Sequence, residues 1–172
     1  GRTTMKTFKN NIVDIISTQK FSGKSDSLIL RNIKGIINKG GPPLLMIPPI
    51  NGFITQGIDT LNSHNGIDII SYKGDNIKSA LDGIVVFSGE NSDLGNLLII
   101  SHSYNYFTLY GHCDSIFVKQ REIVEKGKII ATVGESGVTT APHLHFEVWY
   151  NNQIIDPRDI IQKYGDLDVS TE

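Results

Sequence analysis

Residues 142–149 carry the plainest chemical signal in this 172-residue chain. Pro142 suits the first position of a strand, where its missing N–H does little harm. After it the residues alternate. On a strand i and i+2 share a face, so His143, His145, Glu147 and Trp149 point one way, while Leu144, Phe146 and Val148 point the other. One face reads as core. The other sets two imidazoles side by side above a carboxylate, donor types suited to a metal ion or to proton transfer.

All five histidines fall between residues 64 and 145. In His64-Asn65-Gly66-Ile67-Asp68 the Asn-Gly pair disfavours helix. His64 is therefore expected on a turn and Asp68 on the strand it feeds, an arrangement that can converge on one ion. H-x-x-x-D by itself has little specificity. In Thr108-Leu109-Tyr110-Gly111-His112-Cys113, alternation puts Thr108, Tyr110 and His112 on one face and Phe107, Leu109 and Cys113 on the other. Cys113 then reads as a core thiol turned away from His112. His102 ends a strand with no partner in sequence and reads as a hydrogen-bonded structural histidine.

Ligand arithmetic narrows the chemistry without closing it. A catalytic zinc site has three protein ligands and an open position, whereas a structural one has four. Asp68 with two histidines makes the first kind and Asp68 with three makes the second. Same-face spacing permits both His143 and His145 as ligands, so spacing leaves both outcomes open.

The elements that must position these groups are short strands. Runs at 67–71, 83–88, 96–102, 106–112, 116–118, 129–133, 143–150 and 153–155 are separated by Gly, Asn and Asp turns, which suggests an antiparallel sandwich or barrel rather than βαβ units. Asn151-Asn152 is expected to form a tight hairpin turn. Ahead of these, Phe8, Ile12, Ile15 and Ile16 have helical spacing over 5–21, and Ile29, Ile33, Ile36 and Ile37 mark a second helix ending near Lys39. The expected organisation is a helical N-terminal extension at 1–43, a mainly β domain at 44–160, and a C-terminal tail at 161–172.

Composition sets outer bounds. Hydrophobic residues at 39% and charged residues at 20% describe an ordinary globular chain, and a net charge of −2 leaves no basic footprint for nucleic acid. A single cysteine rules out an internal disulfide framework and a cysteine-rich zinc site. No apolar run approaches the roughly 20 residues that span a bilayer. Gly1-Arg2-Thr3-Thr4-Met5 reads as a trimmed start, so membrane attachment is expected only through an anchor upstream of it.

Several of these blocks together resemble a known family. Gly52-Phe53-Ile54-Thr55, H-x-G-I-D at His64–Asp68, Ala80-x-x-Gly83-x-Val85, Thr108-x-Tyr110-Gly111-His112, Val124-x-x-Gly127, Val133-Gly134-x-x-Gly137, Pro142-His143-Leu144-His145-Phe146-Glu147 and Asp156-Pro157 occur in that order. The chain is similar over about 48–159 to the M23 zinc metallopeptidases, the LytM/lysostaphin-type peptidoglycan endopeptidases. The resemblance implies a two-sheet antiparallel β-fold, with Zn²⁺ bound by His64, Asp68 and His145. It implies that His112 and His143 stay unligated and act as catalytic bases or transition-state donors, either one being the base. It also implies an extracytoplasmic protein acting on peptidoglycan stem peptides. Leu144, Phe146 and Glu147, with no Tyr in 57–63, are more similar to members that cut direct stem-peptide cross-links than to those that cut glycine bridges. Arg121, where the family often has glycine, predicts a differently shaped turn. The rival expectation is a non-catalytic cell-wall regulator on the same fold that activates a partner hydrolase.

Overall fold

The computed structural model describes residues 46–139, 141–161, 163 and 164. The expected N-terminal helices, and all of the expected tail except Ile161, Lys163 and Tyr164, lie outside the described residues. Ten antiparallel strands follow in chain order: β1 (Phe53–Gln56), β2 (Ile67–Ile70), β3 (Asn76–Lys78), β4 (Gly83–Asn91), β5 (Gly95–Ser101), β6 (Tyr106–Ile116), β7 (Ile123–Val124), β8 (Ile129–Val133), β9 (His143–Tyr150) and β10 (Gln153–Ile155). A single turn of helix, α1 (Pro157–Ile160), follows β10. The strand list from sequence misses β1, β3 and β7, which are short or lack clean alternation.

The main path of the sheet runs β1-β2-β9-β6-β5-β4-β7, with β10 on β9 and the β3–β8 pair joined to β6. Hydrogen bonding is thus continuous through β6 and does not divide into the two sheets expected from the resemblance. The β3–β8 arm leaves β6 at Cys113↔Val133 and Ile116↔Ala131. It brings Ile77, Ile130 and Val133 into one core cluster with Leu144, Phe146 and Val148 of β9 and Ile67 and Ile69 of β2. Fully burying each such side chain contributes roughly 1.5–3 kcal/mol. Ile161 and Tyr164 join that cluster. The Tyr164 hydroxyl donates to the Ile50 carbonyl at 2.7 Å, tying Tyr164 to the segment ahead of β1.

The opposite face carries a smaller cluster of Leu97, Ile99, Phe107, Leu109 and Trp149. Alternation therefore holds on β5 and β9, with odd and even residues on separate clusters. It fails on β6. Asn96 pairs with Cys113 and Leu98 with Tyr110, so Gly111 and His112 together oppose Leu97 in a β-bulge, and His112 takes a left-handed φ of 59°. The extra residue reverses the alternation beyond it. Cys113 lands in the same cluster as Tyr110, and His112 swings to the face of Leu109 and Gly111. The expected shared face of Thr108, Tyr110 and His112 is thereby corrected, although Cys113 is, as expected, a buried thiol, pushed up to about 12 by burial.

Two turns show local chemistry directly. Asn151 and Asn152 have φ of 46° and 63° and join β9 to β10, the left-handed pair of a two-residue hairpin. Arg121 has φ of 75°, a left-handed conformation that glycine adopts more readily.

Candidate metal centre

The five sequence-nominated residues come together on the Trp149 face of the sheet. Asp68 of β2 is directly opposite His145 of β9, Ile70 is opposite His143, and Gly111 of β6 is opposite His145 on the other side. His64 arrives from outside the sheet. It follows the 3-10 turn Thr60–Asn62, and its main chain pairs with Asp59 through two hydrogen bonds of 2.8 Å. The turn-then-strand reading of His64 and Asp68 thus matches their placement. His112 reaches the site only because the bulge turns it there.

Each imidazole is fixed by a hydrogen bond at one nitrogen at least. His64 Nδ1–H donates to the Gly57 carbonyl at 2.7 Å, and His112 Nδ1–H to the Ser136 carbonyl at 2.6 Å. His143 Nδ1–H donates to the Ala141 carbonyl at 2.9 Å, with the Thr139 hydroxyl 3.0 Å away. These three rings present bare Nε2 atoms. His145 is the reverse: Nε2–H donates to Glu147 Oε1 at 2.8 Å, leaving Nδ1 to face Asp68 Oδ1 at 2.8 Å. Glu147 is itself held by the Trp149 indole N–H, which donates to Oε2 at 2.7 Å. Sequence placed Glu147 and Trp149 on this face. The carbonyls of Gly57, Ser136 and Ala141 leave no signal in residue type.

Two glycines let the Ser136 segment reach His112. Gly95 (φ 63°) and Gly137 (φ 81°) lie so close that a Cβ on Gly95 would sit 2.2 Å from the Ser136 carbonyl carbon, and one on Gly137 would sit 2.4 Å from Gly95 N. Ser136 Oγ also donates to the Cys113 carbonyl at 2.6 Å, which pins the segment to β6.

The donor set has the chemistry of a cation site. One ligand atom from each of His64, Asp68 and His145 can be chosen so that all lie within 4.8 Å of one another. His64 Nε2 is buried with no hydrogen-bond donor, 3.1 Å from Asp68 Oδ2. With the ring proton committed to Gly57, that distance sets a lone pair against a carboxylate oxygen. Such a contact is repulsive unless positive charge lies between the atoms. Burial alone would lower His145, but the hydrogen bonds to Asp68 and Glu147 outweigh it and raise the ring to about 9. Burial would raise Asp68, yet the hydrogen bond from His145 and the approach of His64 hold it well below the usual carboxylate range. Two imidazole nitrogens and one carboxylate suit zinc.

His143 Nε2 stands 3.7 Å from Asp68 Oδ1, on the flank of this cluster. Its ring lies 4.6 Å from that of His112, centroid to centroid, and the His112 ring is 6.2 Å from that of His145. Burial pushes His112 down to about 4, despite the hydrogen bond to Ser136 that opposes it. It is therefore neutral at pH 7. The cleft above these groups encloses about 570 Å³ and is walled by Thr55, Asn62, Ile70, Leu94 and Val138 among others. His102 is elsewhere, buried between the Asp82 carbonyl and the Thr108 hydroxyl at 2.7 Å each, which matches its reading as a structural histidine.

Known proteins share this arrangement of sequence and fold. The model of peptidase family M23 matches residues 62–157. The peptidoglycan DD-endopeptidase ShyB of Vibrio cholerae is 41% identical over 93 residues, covering 54% of this chain and 22% of that protein. The murein hydrolase activator NlpD of Salmonella dublin is 36% identical over 111 residues, covering 63% of this chain and 29% of that protein. Among solved structures, a zinc containing peptidase from Vibrio cholerae superposes with a TM-score of 0.60 at 33% identity, covering 64% of this chain and 38% of the other. The chain spans well under half the length of the curated relatives it matches. Because the family model covers more than half of the sequence and every block it spans lies in the sheet or its connections, the chain belongs to peptidase family M23.

Proposed function

We propose that this chain is a zinc-dependent endopeptidase that hydrolyses peptide cross-links of bacterial peptidoglycan in the cell envelope, direct stem-peptide links in preference to glycine bridges. The organisation behind it is a catalytic domain at 44–160 preceded by a helical extension at 1–43. The observation that carries the reading is the division of the imidazoles. His64 and His145 turn ring nitrogens toward Asp68, while His112 and His143 keep their Nε2 atoms on the cleft beside them.

His64, Asp68 and His145 would hold the zinc. Bound there, zinc supplies Lewis acidity, which polarises a carbonyl and gives water nucleophilic strength near neutral pH. The protein's part is proton handling. With Nδ1–H tied to a carbonyl, the imidazoles of His112 and His143 have Nε2 as the atom that can accept a proton. The ring that accepts the water's proton becomes a donor and can pass it to the leaving amine. Either ring, once protonated, can also donate a hydrogen bond to the developing oxyanion. Glu147 keeps the His145 proton on Nε2 and so keeps Nδ1 free.

The activator among the relatives favours a second reading, a non-catalytic regulator that switches on a partner hydrolase. Digestion of purified peptidoglycan by the zinc-loaded protein, with mass spectrometry of the released muropeptides, separates the two. Chelator-sensitive loss of a peptide cross-link is expected. Intact cross-links in the presence of stoichiometric zinc would make the regulator the better account.

A further inference from the structure

Asp156 and Arg158 lie about ninety residues beyond His64 in sequence and play no part in the chemistry above. Asp156 caps α1, accepting from the Arg158 main-chain N–H at 3.0 Å, and Pro157 starts the helical turn. The Arg158 side chain folds back on the same carboxylate. Its Nε lies 3.0 and 3.1 Å from the two oxygens, and Nη2 donates to Oδ2 at 2.7 Å. A fork held at two nitrogens has little freedom to rotate.

That immobilised guanidinium lies over Gly57. A Cβ added to Gly57 would be 2.8 Å from Nη1, 2.9 Å from Nη2 and 3.1 Å from Cζ. Gly57 is not among the glycines at positive φ, so close approach, not backbone conformation, is what requires glycine here. The Gly57 carbonyl is the acceptor for His64 Nδ1–H. Beyond it, the Asp59–His64 turn is braced by its own two main-chain hydrogen bonds. Gly57 thus joins β1 to the turn that carries His64, and the Arg158 guanidinium packs against it.

We infer that Arg158, clamped by Asp156, is a positioning residue for His64. By backing Gly57 it fixes the carbonyl that keeps the ring proton on Nδ1 and aims Nε2 at Asp68. The inference rests on reading His64 as a metal ligand, and it assigns a role to Asp156-Pro157-Arg158 that the helix cap alone does not require.

The test uses the full chain with Arg158→Ala, Arg158→Lys and Gly57→Ala. Three quantities are read: zinc affinity by chelator competition, the His64 tautomer by ¹⁵N imidazole shifts, and the urea midpoint of the metal-free protein. Loss of support around a metal ligand typically lowers affinity about 10–100-fold. Arg158→Ala is expected at the low end of that range, with Arg158→Lys between it and the parent because lysine keeps the charge but not the fork. Gly57→Ala should weaken zinc by pushing on the guanidinium, and Gly57→Ala/Arg158→Ala should be no worse than Arg158→Ala alone, because the added methyl then has room. A helix-stabilising role alone would move the urea midpoint and leave the tautomer unchanged. If Arg158→Ala does not fold, Asp156→Asn, which weakens the carboxylate's hold on the fork, is read in its place. Zinc affinity within twofold of the parent together with an unchanged His64 tautomer overturns the inference. If the parent itself takes up no zinc, the functional reading fails, and the tautomer measurement still decides this one.

Discussion

Replacing Glu147 by glutamine changes almost no volume but removes a charge and an acceptor from beneath His145. The wild-type carboxylate is buried, 4% exposed, and receives two N–H groups, from His145 at 2.8 Å and from Trp149 at 2.7 Å. An amide has only one oxygen to offer them. Its NH₂ must therefore face either the imidazole N–H or the indole N–H. Leaving a buried donor without an acceptor costs about 1–3 kcal/mol. If the imidazole loses, its proton moves to Nδ1 and blocks the ligand atom. If the indole loses, His145 keeps its orientation but not the charge that raised its basicity. Either outcome should lower zinc affinity about 10–100-fold, or roughly 1.4–2.7 kcal/mol at 1.36 kcal/mol per decade. Competition against a chromophoric chelator reads this directly. Adding Trp149→Phe removes the competing donor, so the amide oxygen can serve His145. The double variant should recover at least half of the lost free energy, while Trp149→Phe alone should bind zinc within threefold of the parent. Glu147→Gln with unchanged zinc affinity, or a double variant as weak as the single, would refute the account of how His145 is set.

Three further outcomes follow from the geometry. His112→Ala should retain stoichiometric zinc, by metal analysis, while turnover on peptidoglycan falls about 10²–10⁴-fold; Asp68→Ala should lose the zinc itself, and wild-type turnover in the His112 variant would sink its assignment. Burial lowers His102 from 6.5 to about 4, so the unfolded chain takes up its proton first and stability falls as pH drops from 6.5 toward 4. For this fully enclosed ring the loss is about 3 kcal/mol at 1.36 kcal/mol per unit, and urea titrations at several pH values should show that part of the slope vanish in His102→Gln. Arg121→Gly relieves a left-handed backbone position and should raise the unfolding free energy by about 1 kcal/mol in the same titrations.

Much of the site was legible because strand alternation is a local rule. His143, His145, Glu147 and Trp149 could be placed on one face from spacing alone, and Asn-Gly was enough to put His64 on a turn. His112 was legible as a site residue only through the resemblance, since alternation set it on one face with Thr108 and Tyr110, and Tyr110 is in fact core. A bulge is set by pairing across strands, here by Leu97 facing two residues, and a single strand's pattern carries no trace of it. The continuous path through β6 was hidden for a similar reason, because which strands share a ladder depends on partners distant in sequence. The hydrogen-bond acceptors that fix the tautomers are carbonyls, which every residue has. Arg121 shows the converse limit, a left-handed position that its residue type does not announce.

The seam between β2 and β9 has a consequence for how the molecule opens. β1 and β2 lie at one end of the main sheet path, joined to the rest through four residue pairs from Ile67↔Phe146 to Ile70↔His143. Those four pairs join segments 77 residues apart at Asp68 and His145, so chain entropy opposes their closure more than that of the β4–β5 and β5–β6 hairpins. A metal ion shared by Asp68 and His145 is a cross-link over that seam. Without it, β1–β2 is the unit that peels away first. Amide exchange should report this as a cooperative block in 53–70 that slows on metal loading while β5 and β6 keep their own rates. On this view a bound cation would be as much a folding clasp for the edge of the sheet as a reagent in the cleft.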